Sequence, residues 1–573
     1  MKGSQLLIKA MKDAGVKYVF GYTGGAIMGA FDELAKEPGI QHIMPRHEQG
    51  AVFSAQGLSR STMHLSEPQT GVCMATSGPG ALNLVTGIAD ASMDSVPLMC
   101  ITGQVSTRVV GQDAFQESDF IGTTMPFAKQ AYMPLHAQEI ERSFHEGLHL
   151  ARTGRMGPVV MDVPKNVLGS AVPFDYSFDY TGYKPHLPGY RLRLKPSAEE
   201  LERAVKLINA SERPVIICGH GVRLSRSGQE LLKFARQIGS PIAFTLHGLS
   251  AVPSSDPLSL GMAGMHGSIQ ANRTIAGADL IIALGCRFDD RLTGKASEFG
   301  RQARILHVEI DASEIDKNVQ AALGIQADIH HLLSALLHRD DLKARKRRDW
   351  WKVIDQYRRE MARIDERDLK SGVGPNGKLL MKRVIAELSK FTRGNDLIVS
   401  DIGQHQMTTA RFYQFEKENS WFTSGGVGTM GCALPMSIGV ALGRPDEAIW
   451  CIVGDGGLQM NLQELGTLMQ YGGNIKIILL NNGRLGMVKQ LQTFGFAGRY
   501  AAVEMQNPDF GKVSEGYGIS YARSEKVTEI SFLFSFAKKQ RGACLIEFVC
   551  DPDELILPMI PAEGSYSDMI TER

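Results

Sequence analysis

No run of apolar residues in this 573-residue sequence reaches the roughly 18 needed to cross a bilayer, so no membrane partner is expected. Residues 1–9 carry charge but lack a sustained apolar core and a small-residue cleavage site. They read as the start of an amphipathic helix, not as a signal peptide. The eight cysteines include no Cys-x-x-Cys pair, which argues against a zinc or redox motif. Most lie inside apolar runs such as 215–218 and 450–453, where a thiol acts as a small hydrophobe, and this usage predicts a reducing cytoplasm. There is no excess of either charge: the formal net charge is +1 with 21% charged residues, so nucleic acid is not an expected partner. The one basic run, 343–348, has acidic neighbours and predicts a solvated linker helix.

What the sequence does have is core. At 43% apolar residues it is a globular protein, and its length exceeds what one hydrophobic core can organise. Short β-branched runs at 70–75, 158–162, 214–218, 280–284, 448–453 and 475–480 alternate with longer segments of helical period. That alternation predicts parallel βαβ units. Two seams interrupt it. Residues 170–196 are rich in Pro, Tyr and Gly with little periodicity, and residues 339–376 are densely charged before a Gly-Pro-Asn turn. The prediction is three doubly wound, parallel-sheet α/β domains over 1–168, 190–340 and 372–573.

The most specific local signal is Gly454-Asp455-Gly456 after one predicted strand, followed after twenty-four intervening residues by Asn481-Asn482 after the next. Carboxyl ends of parallel strands are where open α/β sheets bind ligands. A carboxylate and an amide suit a hard divalent cation that shares phosphate oxygens, and flanking glycines let a diphosphate approach the backbone. Two ordinary strand-ending turns would explain either half alone; the paired spacing disfavours that. The arrangement resembles the motif of the thiamine-diphosphate enzymes. The resemblance makes Asp455, Asn482 and the Arg484 carbonyl Mg²⁺ ligands. It also assigns Gln404, His405, Gly428, Gly454, Gly456, Gly457 and Met487 to the coenzyme, and Met430 to the apolar wedge beneath it. The aminopyrimidine of thiamine needs a carboxylate to drive its tautomeric shift, and Glu48 in Arg46-His-Glu-Gln-Gly50 is the candidate. Taken alone, Glu48 is equally a helix-start glutamate.

Further blocks narrow the family: Gly21-Tyr-Thr-Gly-Gly25, Thr76-Ser-Gly-Pro-Gly80, Gly111-Gln-Asp-Ala-Phe-Gln-Glu117, Arg287-Phe-Asp-Asp-Arg291 and Leu557-Pro-Met-Ile-Pro561. Together these blocks resemble the acetohydroxyacid synthase family over nearly the whole chain. The likeness implies decarboxylation of pyruvate and transfer of its two-carbon unit to a second 2-ketoacid. It implies a homodimer or homotetramer, with Glu48 and Gly25 reaching the partner's coenzyme, Phe115, Gln116 and Lys165 nearby, and a small regulatory subunit. Arg291 would grip the acceptor carboxylate through its guanidinium fork, the alternative being an ion pair with Asp289 or Asp290. A structural, non-redox FAD is implied at Thr245, Leu246, Gly264, Met265, His266, Gly285, Arg287, Asp289, Glu309, Ile310, Asp328 and Ile329, although the middle segment has no Gly-x-Gly-x-x-Gly. The adjacent pair His330-His331 reads as surface helix. Three positions depart from the family: Thr23 and Ser106 replace prolines, and Leu491 stands where many members have the tryptophan that favours 2-ketobutyrate and lines a sulfonylurea channel. Weighed against this reading are a flavin-using pyruvate oxidase, a relative acting on glyoxylate or another ketoacid, and a non-catalytic protein with a decayed site.

Overall fold

A computed structural model describes residues 1–173 and 175–572. Phe174 of the predicted linker and Arg573 at the end of the third predicted segment lie outside the described residues. The strands form three six-stranded parallel sheets. The first contains β1 (Tyr18–Tyr22), β2 (Gln41–Ile43), β3 (Gly71–Ala75), β4 (Leu98–Gln104), β5 (Gln130–Tyr132) and β6 (Pro158–Pro164), ordered β2-β1-β3-β4-β6-β5. The second contains β7 (Pro214–Cys218), β8 (Ile242–Phe244), β9 (Ser259–Met262), β10 (Leu280–Leu284), β11 (Arg304–Glu309) and β12 (Leu323–Gln326), ordered β12-β11-β10-β7-β8-β9. The third contains β13 (Leu397–Ser400), β14 (Trp421–Thr423), β15 (Ile449–Gly454), β16 (Ile475–Asn481), β17 (Ser520–Ser524) and β18 (Cys544–Val549), ordered β14-β13-β15-β16-β18-β17. The six apolar runs read from the sequence are β3, β6, β7, β10, β15 and β16, all buried on both faces because helices cover both sides.

Each sheet has an interior reversal of strand order, between β1 and β3, between β7 and β10, and between β13 and β15. A reversal opens a crevice beyond the carboxyl ends of the two strands, since their following loops turn to opposite sides. Gly25 and Thr76 follow the first pair, Gly219 and Gly285 the second, Gly403 and Asp455 the third.

The first and third sheets are locked together by the helices Glu48–Thr62 and Ala433–Gly443. Glycine permits this approach. A Cβ on Gly57 would collide with the Met436 carbonyl, and one on Gly439 with the Ser54 carbonyl. Ser54 Oγ donates to the Pro435 carbonyl at 2.9 Å across the same contact.

Both seams are more anchored than their composition suggests. The tyrosines of the first pack onto the helix Ile140–Arg152: Tyr183 donates to Glu146 at 2.6 Å, and Tyr180 stacks on His145 at 5.3 Å. In the second, the expected solvated basic helix is corrected. The helix begins only at Arg348, and the preceding Arg347 is buried, donating to the Ile208 and Ile238 carbonyls at 3.3 Å each. Composition marks a charged segment but not which of its guanidiniums finds carbonyls to satisfy. His330 and His331 open the helix Ile329–Leu337, where the Asp328 side chain caps both their amides. Among the described residues no helix is long and apolar enough to cross a membrane.

Candidate active site

The third sheet builds a cradle at its reversal point. Gly403, at φ +147°, turns the chain from β13 into the helix Gln404–Phe412. The His405 ring fills the space between Gly403 and Gly454, where a Cβ on either would come 2.9 Å from it. Burial lowers that imidazole to about 4, so it is neutral packing and not a cation. Asp455 starts the helix Asp455–Met460 and is 1% exposed, and Asn482 follows β16 at 9%. Gln404, His405, Met430, Gly454, Asp455, Gly456, Gly457, Asn482, Arg484 and Met487 line one cavity.

The metal-ligand candidates are held by amides. Asn507 Nδ2 donates to Asp455 Oδ2 at 2.7 Å and to Asn481 Oδ1 at 2.9 Å, while Gln459 donates to Asn507 at 3.0 Å. Asn482 Oδ1 accepts from the Arg484 amide at 3.1 Å. Burial raises the Asp455 carboxyl, and the Asn507 bond opposes that shift. Among the described residues no three His, Cys, Asp or Glu side chains converge. A carboxylate, an amide and a carbonyl nevertheless suit Mg²⁺, which completes its shell with phosphate oxygens and water.

Sequence reasoning missed three supports of this cradle. One is Asn507. The second is Asp401, fully buried, whose carboxylate accepts from the amides of Ile402 at 2.7 Å and Gly431 at 2.9 Å and so fixes the turn after Met430. Burial pushes Asp401 up to about 7. The third is Asn461, which bridges the Gly431 carbonyl at 2.8 Å and Gln49 at 3.2 Å. None has a spacing signal in the sequence.

A second cavity of about 980 Å³ adjoins the first, sharing Ile402, Gly403, Met430, Met487 and Val488. It gathers most of the residues assigned to flavin: Thr245, Leu246, Met265, His266, Gly285, Arg287, Asp289, Glu309, Ile310, Asp328 and Ile329. Gly428, Arg291 and Leu491 line it as well. Gly264 stands just behind the wall at φ +101°, where a Cβ would strike the Arg291 carbonyl. His266 Nδ1 is buried with no hydrogen-bond partner, a donor or acceptor kept for a ligand. Burial lowers the His266 ring to about 4, with Arg411 and Arg291 adding to the shift, and raises Glu309 to about 7. Arg291 reaches Asp290 only at 3.6 Å with 67% of its side chain exposed, and Asp289 instead caps the Leu292 amide at 3.1 Å.

Glu48, Gly25, Phe115, Gln116 and Lys165 line neither cavity. They sit beyond the carboxyl ends of the first sheet. Glu48 is the first residue of its helix and accepts from Asn83 Nδ2 at 2.9 Å. The preceding turn is fixed by Glu464, which accepts from the Arg46 amide at 3.1 Å. Gln116, at φ +60°, lies against Gly78, while Phe115 is 89% exposed and Lys165 and Gly25 are exposed. Thr23 is exposed on the same rim, and Ser106 is half-buried past the end of β4.

Two sheets of one strand order flanking a third, with a Gly-Asp-Gly cradle at a reversal point, define a thiamine-diphosphate enzyme. Residues 1–123, 201–336 and 401–548 match respectively the N-terminal TPP binding domain, the central domain and the C-terminal TPP binding domain of the thiamine pyrophosphate enzymes. The chain is 39% identical to the acetolactate synthase large subunit of Corynebacterium glutamicum, over 99% of this chain and 90% of that one. It is 36% identical to the acetolactate synthase isozyme 3 large subunit of Escherichia coli, over 99% and 98% respectively. Against acetolactate synthase 2, chloroplastic, of Nicotiana tabacum the figures are 39% identity over 100% and 85%. The chain therefore belongs to the acetolactate synthase large-subunit family.

Proposed function

We propose that the chain is the catalytic subunit of an acetolactate synthase, condensing pyruvate with a second pyruvate or with 2-ketobutyrate. The observation that carries this reading is the opening of the coenzyme cradle into a chamber wide enough for an acceptor, at Met430, Met487 and Val488, with Arg291 and Leu491 on its wall. Asp455, Asn482 and the Arg484 carbonyl would hold Mg²⁺ and, through it, the diphosphate. When bound, thiamine diphosphate would supply an acidic ring carbon as the nucleophile towards the donor ketoacid and a cationic ring as the sink for the electron pair left by CO₂.

The protein's own groups do the rest. Glu48 holds a proton at the pyrimidine nitrogen, and Met430 supports the coenzyme from below. The Arg291 guanidinium, free of a strong ion pair, offers a two-pronged site for the acceptor carboxylate. FAD would occupy the larger cavity, where His266 Nδ1 lacks a partner and Gly428, at φ +70°, leaves open space where a Cβ would stand. We assign it a structural, non-redox role. The exposed rim around Glu48, Gly25, Phe115, Gln116 and Lys165 would be covered by a second copy in a homodimer or homotetramer. A small regulatory subunit is the further partner, and the eight free, buried cysteines suit the cytoplasm.

Product analysis with pyruvate and 2-ketobutyrate in competition, with FAD, Mg²⁺ and thiamine diphosphate supplied, tests the proposal. Acetolactate and acetohydroxybutyrate are the expected products. Acetyl phosphate, acetate or acetaldehyde in their place, or oxygen uptake matching turnover, overturns it.

A further inference from the structure

Where the three sheets meet, a closed set of charges is buried between the two cavities' shared wall and the helix carrying Glu48. Arg60, on that helix, donates from Nη2 to Asp94 at 2.8 Å and to Asp90 at 3.1 Å, and all three side chains are at most 5% exposed. Asp94 also faces the larger cavity. There it lies 3.0 Å from His247 Nε2, next in sequence to Leu246 of the flavin wall. On its other side it accepts from the amides of Gly425 at 3.0 Å and Gly426 at 2.8 Å. Asp90 accepts from Ser424 Oγ, which in turn accepts from the Thr429 amide at 3.0 Å. The loop that ends in the Met430 wedge is thus pinned at both ends by this pair of acids.

The loop itself has little to hold its shape. Gly425, Gly426 and Gly428 lie within it, and glycine loses more conformational freedom on ordering than any other residue. Gly425 cannot carry a side chain because the His247 ring lies against it, and a Cβ on Gly426 would come 3.3 Å from Arg287 on the flavin wall. Burial raises both carboxyls. In Asp94 the His247 ring and Arg60 outweigh it and hold the group well below its ordinary range, whereas Asp90, next to Asp94, is pushed up to about 7. Asp94 is therefore the anionic centre to which amides of the coenzyme loop are bonded and against which a ring of the flavin wall lies.

We infer that Asp94 is a positioning residue through which occupancy of the larger cavity sets the geometry of the thiamine coenzyme loop. A ligand that orders His247 and Arg287 orders Asp94, and Asp94 orders Gly425 and Gly426. This rests on the proposed reading of the cavities as flavin and thiamine-diphosphate sites. It gives a flavin that transfers no electrons a physical task.

Coupling of two binding sites is reciprocal, so it is measurable without turnover. The full-length chain, stripped of both cofactors, is titrated with thiamine diphosphate and Mg²⁺, with and without FAD, by intrinsic fluorescence. FAD should tighten thiamine-diphosphate binding in the native chain by about 5- to 150-fold, the usual range for coupled sites. In Asp94→Asn and in His247→Phe that ratio should fall towards 1 while each cofactor still binds alone. If Asp94→Asn, which leaves Arg60 only Asp90 as an acidic partner, does not fold, Ser424→Ala keeps the charged group intact and should lower the ratio in part. A native ratio of 1, or an undiminished ratio in folded His247→Phe, overturns the inference while leaving the cavity readings standing. Failure of FAD to bind the native chain overturns the flavin reading and the inference together.

Discussion

The first and third sheets share one strand order, yet their functional edges are finished to different degrees. In the third, Asp455 is 1% exposed, and Asn507, Asn482 and Gln404 find partners on the same chain. In the first, Phe115 is 89% exposed, and Tyr22, Met28 and Leu82 are exposed in the segments after β1 and β3. Exposed apolar side chains on the same domain as a candidate catalytic carboxylate suit a surface that a partner covers. On the proposed function, one edge binds by itself and the other would complete a site by docking. On that reading the duplicated architecture is divided into a part that would hold the coenzyme's charged end and a part that would bring a proton-handling group to its other end.

The sharpest way to test that division is to remove the proton-handling group alone. Glu48→Gln should leave coenzyme affinity within a few-fold of native and lower turnover by about 10²- to 10⁴-fold, the scale of a lost proton-transfer group. Steady-state rates at saturating thiamine diphosphate check it, and near-native turnover would remove Glu48 from the chemistry. The complementary change is Asp455→Ala, which should weaken Mg²⁺ and thiamine diphosphate together by at least about 100-fold. Asn507→Ala leaves the ligand but frees its carboxylate, so a smaller loss of about 10- to 100-fold in Mg²⁺ affinity is expected. Equal affinities in Asn507→Ala and the native chain would mean that Asp455 needs no orienting bond.

The same division decides what could be read before the structure. The strands were legible because doubly covered parallel strands are continuous apolar runs, and β10 and β16 contain little else. The Gly-Asp-Gly and Asn-Asn pair was legible because both halves end neighbouring strands at a fixed spacing. Asn507, Asp401 and Asp94 were not. Each acts through a partner 30 to 331 residues away, and nothing in its local sequence sets it apart from a turn or helix polar residue. Arg347 was misjudged for the reverse reason, since its run looks solvated while its guanidinium is enclosed by carbonyls of the second domain.

Leu491 sharpens the comparison on the substrate side. It is 40% exposed on the wall of the larger cavity, beside Met487 and Val488. Leucine offers no aromatic face and less volume than the tryptophan that the family resemblance leads one to expect there. One methylene discriminates by only about 1–3 kcal/mol at best, so loss of that contact erases most of a preference for 2-ketobutyrate. Pyruvate self-condensation should therefore be a major reaction and sulfonylureas poor inhibitors. Leu491→Trp should raise the 2-ketobutyrate preference by about 10-fold and tighten sulfonylurea binding. Strong 2-ketobutyrate preference in the native chain would refute the assignment of Leu491.

The smallest effect contrasts two buried acids on corresponding strands. On β18, Glu547 accepts from Asn481 at 2.6 Å and Tyr521 at 2.5 Å, with Arg523 Nε at 3.9 Å. On β6, Asp162 has only neutral donors, Thr102 at 2.7 Å and Gln104 at 2.8 Å. Burial pushes Asp162 up to about 7, the two hydrogen bonds opposing it without prevailing. An unfolded aspartate titrates near 3.9, so between these values the folded chain holds a proton that the unfolded chain has lost. The stability from this group is fully present below about pH 4 and is lost as pH rises towards 7, by up to about 1.4 kcal/mol per pH unit. Asp162→Asn cannot ionise and removes that slope. Its melting temperature, compared with the native chain's by calorimetry from pH 5 to pH 7.5, should gain on the native value as pH rises. The shift should be a few degrees per pH unit at most, since about 1 kcal/mol moves a large domain by roughly 2–4 °C. A difference that stays constant across the range would mean that Asp162 is ionised throughout, with Thr102 and Gln104 sufficient to carry its charge.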